Sequence, residues 1–429
     1  MKTTSTTHTA PAGAPSILEL QKEAWGDVRD SFEKFCLTCG LEVLQGMMEE
    51  NVAELTGERH ERAQDKPGYR WGSTVSRLDF HGGKVPLERP RVRDKITGKE
   101  IPLATWEHFS SGELLREWAV NLMVMNIATR KFGKAARLPE TGIPVSPGDG
   151  LSKSAVSRRF KALTQARYDE WVSSDISHLD LVAIQIDGLH MRDDDGMLML
   201  AAVGVETSGL KHPLGVVEGA TENAAAVQAL LDNLIERGLD PEGCYLFIVD
   251  GSKALSKAIR RTFGADIPIQ RCQVHKSRNI LDRLPRGHRE SVRRALRQAW
   301  NMDDADKAEK MIRNLARRLE RDAPGVSRSI LEGIDEILTV TRLGLPPELR
   351  KSLGSTNIIE TMNSVVRQVS RNVKRWRDAS MALRWTSSGM FEAQKGFRRI
   401  NAYRQLPLLK RALARHRGKL PVDAMEDAA

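Results

Sequence analysis

IQIDG, at Ile184–Gly188, and IVDG, at Ile248–Gly251, close two apolar runs in the same way, each placing an aspartate just after a stretch suited to a buried strand. Between and around them the pattern is α/β. Apolar runs at Leu181–Ile186, Met197–Val205 and Pro213–Val217 are bounded by glycine or charged turns. Asn223–Arg237 has helical spacing, with Ala226, Leu230, Leu231 and Leu234 on one face. After Gly238 come a further run at Tyr245–Val249, a helix at Ala254–Phe263 and a short strand at Ile267–Gln270. If the strands ending at Asp187 and Asp250 are parallel neighbours, the helix between them is the expected right-handed crossover, and their carboxylates meet at one sheet edge. Asp-Gly is also a common turn dipeptide. Either site alone reads that way; the pair, joined by the right elements, points to paired carboxylates with a chemical role.

Three strands, a crossover helix and a strand is the order of a ribonuclease-H-like core. From Arg286 to Val340 the strand signal disappears and helical faces follow: Val292, Leu296 and Trp300; Ala308, Met311, Ile312 and Leu315; Ile330, Ile334 and Ile337. An all-helical insertion is the reading, closed by Pro346-Pro347 before helix resumes near Asn357. On the N-terminal side, residues 17–55 are helical in pattern. A hairpin follows from Tyr69 through the Gly82-Gly83 turn, its return strand confined to a sheet edge by Pro86 and Pro90. Helix returns from about Ser111 to Arg137. Ser152–Leu163 (SKSAVSRRFKAL) reads as a short basic helix that, with a helix at Ala128–Ala136, forms a helix-turn-helix; a plain basic surface helix is the alternative. The expected organisation is a disordered tail at 1–16, a mostly helical DNA-binding region with a small β-hairpin at 17–165, the first part of the core at 178–285, the helical insertion at 286–345, a last core helix with basic helices at 346–420, and an acidic tail at 421–429.

Composition supports this division. A chain of 429 residues, 40% hydrophobic, exceeds one ordinary core. Lys and Arg outnumber Asp and Glu by 66 to 56, and the net +10 favours a polyanionic partner. The charge is concentrated: Thr361–Leu420 holds fifteen Lys and Arg against only Asp378 and Glu392. Four cysteines are too few for a disulfide scaffold, and no apolar run approaches the roughly 20 residues of a membrane span. The first residues lack the apolar stretch of a signal peptide. A cytoplasmic, nucleoid-associated protein with no membrane partner is the expectation.

The third acid is Glu360, in STNIIETMNSVVR (Ser355–Arg367). Asn357 three residues earlier fits a capping box, in which the glutamate serves only the helix start. Asn363 and Arg367, at i+3 and i+7, share its helical face, however, and a carboxylate, an amide and a guanidinium facing one way suit a metal site beside a phosphate. Two aspartates with a third carboxylate can hold two divalent metals about 3.5–4 Å apart, and hard Mg²⁺ prefers such oxygen ligands.

The chain resembles the Mutator-type transposases of bacterial insertion sequences. The matching features are IDG at Asp187, DGSKAL at Asp250–Leu255, RCQVHKSRNI at Arg271–Ile280 and STNIIETMNSVVR around Glu360, in the family's order, together with the SKSAVSRR stretch. The resemblance implies a magnesium-dependent DNA transposase with Asp187, Asp250 and Glu360 as the catalytic, metal-binding triad, two Mg²⁺ ions as cofactor and Mn²⁺ as a substitute. It implies binding of terminal inverted repeats, nicking of the element's ends and transfer of 3′-hydroxyl strands into target DNA. The partners are then double-stranded DNA, as terminal repeats and target, and further copies of the chain, at least as a homodimer. Cys272 and His275 form the family's Cys-x-x-His feature and are expected, with Asn363 and Arg367, to support the active site. A zinc site joining them to Cys36 and Cys39 is the competing idea. Expected DNA contacts are Ser154, Ser157, Arg158, Arg159 and Lys161; Lys276 and Arg278; and Arg371, Lys374, Arg375 and Arg377. Trp376 and Trp385, interleaved with the last group, read as core anchors. Arg289, Arg293, Arg294 and Arg297 make a second basic face, either solvated surface or DNA track. Two other readings are a non-catalytic DNA-binding regulator derived from a transposase and a ribonuclease-H-like nuclease or resolvase.

Overall fold

A computed structural model describes residues 39–59, 65–80, 83–111, 121–125, 146–147, 153–191, 197–220 and 223–419. The chain divides into two compact units, 1–122 with 127–160, and 123–126 with 161–429. The tails expected at 1–16 and 421–429, Cys36, and the helix expected at 128–136 as the first half of the helix-turn-helix lie outside the described residues.

In the first unit, residues 39–56 form a helix whose Leu44, Met48 and Val52 pack on Leu78, Leu87, Val92 and Leu103. The hairpin is β1 (Gly68–Phe80) against β2 (Gly83–Asp94). The edge placement of β2 needs correcting. It is flanked by β1 on one side and, on the other, by β3 (Glu100–Ile101) at Val92–Arg93 and β4 (Ser146–Pro147) at Gly83–Lys84. Pro86 and Pro90 are four residues apart, so their missing N–H groups fall on the same side, within the stretch that β3 and β4 leave open.

The second unit is built on a five-stranded sheet of β5 (Leu181–His190), β6 (Leu198–Glu206), β7 (Lys211–Glu218), β8 (Leu246–Val249) and β9 (Ile269–Arg271), in the order β7-β6-β5-β8-β9. The first three strands form an antiparallel meander; β8 and β9 lie parallel to β5. Both faces are covered, which is why these strands read as continuous apolar runs rather than alternating ones. Helices Ala224–Glu236 and Lys253–Phe263 pack on the face carrying Ile184, Ile186, Phe247 and Val249. The opposite face, with Ala183, Leu246 and Ile248, is covered by Leu349, Leu353 and the C-terminal helix residues Leu406, Leu409 and Leu413.

Helices then dominate from Gln273 to Leu353. Ile280, Leu281 and Leu284, before residue 286, share one core with Val292, Leu296, Ile312, Leu315 and Ile330, so the insertion's packing begins a helix earlier than the sequence boundary. The basic helix expected to end at Leu163 instead runs from Lys153 to Ser173, leaving no break at 165. Its last turns are held within the second unit: Trp171 meets Phe391 edge-on at 5.1 Å, while Asn233 and Arg237 donate to the carbonyls of Val172 and Ser174. No helix among the described residues is long and apolar enough to cross a membrane.

Candidate active site

Parallel pairing sets Ile186 beside Val249, so Asp187 and Asp250 follow side by side at the carboxyl ends of β5 and β8. Their Asp-Gly dipeptides are not alike. Gly188 lies inside β5, which runs on to His190, so a turn does not explain Asp187. Gly251 has φ +105°, and a Cβ there meets the Arg271 guanidinium, so at Asp250 the glycine is required by the backbone. Asp250 Oδ1 accepts the Ser252 N–H at 3.0 Å, and Ser252 in turn caps helix Lys253–Phe263.

Glu360 reaches the same place from helix Asn357–Val369. Asp187, Asp250, Glu360, Asn363, Arg367, His275 and Arg278 line one cavity of about 460 Å³. The spacing of Glu360, Asn363 and Arg367 along one helical face thus has its counterpart in space. The capping box does not: the N-cap is Thr356, with no side-chain cap bond, and Asn357 is the first helical residue. The Thr356 hydroxyl instead donates to Glu360 Oε1 at 2.8 Å. Asn363 is 2% exposed and its Oδ1 has no partner among the described residues.

Electrostatics follow from burial and crowding. Burial, and then the neighbouring Asp250, push Asp187 up to about 6. Its one hydrogen bond among the described residues is the Gly188 N–H at 3.0 Å. His275 Nε2 lies 3.7 Å from Glu360 Oε1. Interaction with the Cys272 sulfur, aided by the charges of Asp187 and Glu360, pushes the imidazole up to about 9 against its burial. Cys272 is buried completely, and its sulfur accepts from the His275 and Thr356 N–H groups and the Thr356 hydroxyl. Burial raises its pKa, but the His275 side chain together with those hydrogen bonds lowers it further than burial lifts it. Cys272, His275 and Glu360 have ligand-type atoms within 4.8 Å of one another. Cys39, half-buried, belongs to the other unit.

Sequence reasoning passed over Gln185. It is completely buried, two residues before Asp187 on the same face of β5. Its amide donates to the Ser355 carbonyl at 3.1 Å and accepts from the Ile359 N–H at 3.1 Å, fastening the start of the glutamate helix to the aspartate strand. The available signal was a lone amide inside an otherwise apolar, fully covered strand.

One expected DNA contact is overturned. Lys276 is 1% exposed and its Nζ donates to the Glu332 carbonyl at 2.7 Å; burial pushes it down to about 8. A basic residue in a helical motif looked solvent-facing, but position 276 points into the insertion. Arg278 is exposed and borders the cavity. Ser154, Ser157, Arg158 and Lys161 are exposed and Arg159 is half-buried. Arg371, Lys374, Arg375 and Arg377 are exposed, while Trp376 and Trp385 are 9% and 7% exposed.

Comparison with known proteins bears on this arrangement. The transposase for insertion sequence element ISRM5 of Rhizobium meliloti (strain 1021) is 27% identical over 379 residues, 87% of this chain and 90% of that protein. The transposase for IS256 in transposon Tn4001 of Staphylococcus aureus is 26% identical over 372 residues, 83% of this chain and 88% of its own length. The transposase for IS6120 of Mycolicibacterium smegmatis is 28% identical over 276 residues, 64% and 84% respectively. The family model described as "Transposase, Mutator family" matches residues 16–397, a span that includes all three carboxylates and the helices that carry their neighbours. The chain belongs to the Mutator family of transposases.

Proposed function

We propose that the second unit is a ribonuclease-H-like catalytic core in which Asp187, Asp250 and Glu360 hold two Mg²⁺ ions, with Mn²⁺ able to replace them. In this reading the enzyme nicks the terminal inverted repeats of an insertion sequence and transfers the freed 3′-hydroxyl strands into target DNA. The observation that carries it is the convergence of three carboxylates, distant in sequence, on one open cavity. The sheet order, an antiparallel meander followed by two parallel strands, supports the fold assignment.

The donor set suits a hard cation: three carboxylates, with the unpartnered Asn363 Oδ1 beside them. When bound, the metal pair supplies activation of the attacking oxygen and stabilisation of the leaving oxygen. The protein's own contribution is position and charge. Thr356 fixes the Glu360 carboxylate, Ser252 fixes Asp250, and Gln185 holds the glutamate helix to β5. Arg278 and Arg367 at the rim face the place where a phosphodiester gathers negative charge. His275 stands where it can balance Glu360 or hold its orientation.

DNA is the substrate in this scheme, and the protein acts at least as a dimer, since two ends have to be brought together. Incubating the protein with a labelled terminal repeat and Mg²⁺ tests the reading, with Asp187→Ala as control. Nicking and strand transfer by the wild type alone are expected. Specific binding without nicking favours a regulator derived from a transposase; nicking without transfer favours a nuclease.

A further inference from the structure

Next to the catalytic cavity lies a larger cleft, about 640 Å³, between helices Gln273–Asp282, Arg286–Trp300 and Pro347–Leu353. We infer that this cleft is a track for the sugar-phosphate backbone of DNA flanking the scissile bond. The inference rests on the catalytic reading of the adjoining cavity and adds to it where the flanking DNA goes.

The first support is basic charge in excess of what the fold pairs. Arg289, Arg293 and Arg297 stand at i, i+4 and i+8, one row on one helix face, turned into the cleft. Like charges at that spacing oppose helix formation, so the row is not there for the helix. Lys351 lines the opposite wall, and Asp282 is the only acid among the lining residues. Arg297, Lys351 and Arg278 make no ion pair or hydrogen bond among the described residues, whereas Arg293 pairs with Glu290 and Arg289 is tied to the Leu284 carbonyl. A concave surface of one sign concentrates its field on an incoming polyanion.

Position is the second support. Arg278 lines both the cleft and the catalytic cavity, so the two adjoin at that residue. Ser355 is 4% exposed, lines the cleft, and has a buried hydroxyl without a partner among the described residues. It leads into the thirteen-residue helix that carries Glu360, whose first turn has no side-chain acceptor except Gln185 on Ile359. An anion at this helix start meets amides, a hydroxyl and Lys351 together, a ready phosphate seat. The seat lies on the same helix as the metal-site glutamate. The cleft offers no stacking platform: its one aromatic, Trp300, is half-buried and bonded to Ser277. Contacts here therefore hold backbone and do not read bases.

The test compares two triple variants of the full chain binding a fluorescein-labelled linear duplex of arbitrary sequence across a salt series. One is Arg293→Ala with Arg297→Ala and Lys351→Ala; the other removes the same charge outside the cleft, at Arg294, Arg317 and Arg321. Each phosphate contact contributes a slope of about 0.9 in log K against log salt, so the cleft triple is expected to lower the slope by about 2–3 and the control by less. Ser355→Val added to the cleft triple is expected to weaken binding further. Circular dichroism and melting establish that both triples are folded, and a cleft triple that does not fold is replaced by the single Arg297→Ala, with a slope change of about 0.9 expected. An unchanged slope, or equal losses from both triples, overturns the track. Nicking by the wild type is scored separately: if it fails, the catalytic reading falls, whatever the salt slopes show.

Discussion

Replacing Gln185 by leucine tests whether the active site is held together from inside the sheet. The side chain is completely buried and makes two hydrogen bonds, to the Ser355 carbonyl and from the Ile359 N–H, both at 3.1 Å. Leucine fills a similar volume, so the dominant loss is polar. Each buried group left without its partner costs about 1–3 kcal/mol, about 2–6 kcal/mol for the two. At about 2–4 °C per kcal/mol for a unit of this size, melting should fall by roughly 4 °C at least. Activity should fall more steeply than stability. The two bonds anchor the first turn of the Glu360 helix to the strand of Asp187, and misplacing a reacting group by about 1 Å can cost roughly 100-fold. Assayed well below its melting point with labelled terminal-repeat DNA and Mg²⁺, Gln185→Leu should nick about 100-fold more slowly than wild type. Gln270→Leu is the matched control, because Gln270 is equally buried but clamps β9 to Ile337 and Val340 of the insertion. It should lose comparable stability and much less activity. If Gln185→Leu nicks at the wild-type rate, or both variants lose activity in proportion to stability, the positioning role is wrong.

Asp187 carries a pH signature. Its folded pKa of about 6 lies above the unfolded value, so the protein loses stability as pH rises from about 4 to 6, by about 2–3 kcal/mol, and stays at that lower level above pH 6. Asp187→Asn should therefore raise the melting temperature of metal-free protein at pH 7.5 and abolish the further rise that Mg²⁺ gives the wild type; scanning calorimetry with and without Mg²⁺ reads both. Thr356→Val removes the hydroxyl that holds Glu360 Oε1 and contacts the Cys272 sulfur, and should weaken Mn²⁺ binding about 10-fold or more, measured by titration calorimetry, while Thr356→Ser retains it. Lys276→Met should leave the salt slope of DNA binding unchanged, because that ammonium is bound to the Glu332 carbonyl and not exposed; a lower slope in anisotropy titrations would return Lys276 to the DNA-facing set.

The strands of the second unit were readable because both sheet faces are covered, which leaves long apolar runs with charged or glycine boundaries. The one pairing considered with the crossover rule, parallel β5 and β8, is present. Burial of single polar groups was not readable in the same way. Lys276 sits in a motif with Arg278, and nothing in the letters separates the lysine that turns inward from the arginine that faces the cavity. Pro86 and Pro90 signalled an edge, but an edge can be local, and β2 has partners at both of its ends. Glu360 had two readings, and the structure divides them, giving the cap position to Thr356 and the carboxylate to the cavity.

β5 shows where the informative signal was. Gln185 and Asp187 are two residues apart, so both stand on one face of a strand that is otherwise apolar from Leu181 to Ile186. A buried polar group persists in such a place only if something satisfies it. For Gln185 the chain supplies both partners, from the first turn of the glutamate helix. For Asp187 it supplies one hydrogen bond, from the adjacent Gly188 N–H, and although the charge of His275 favours ionisation, burial, Asp250 and Glu360 outweigh both and hold the carboxyl up at about 6. A fold that satisfies the amide twice and the acid two residues later only in part leaves an acid that would gain from a cation. A divalent cation would meet that need in charge and in ligand chemistry, which is the physical ground for the metal site proposed at Asp187.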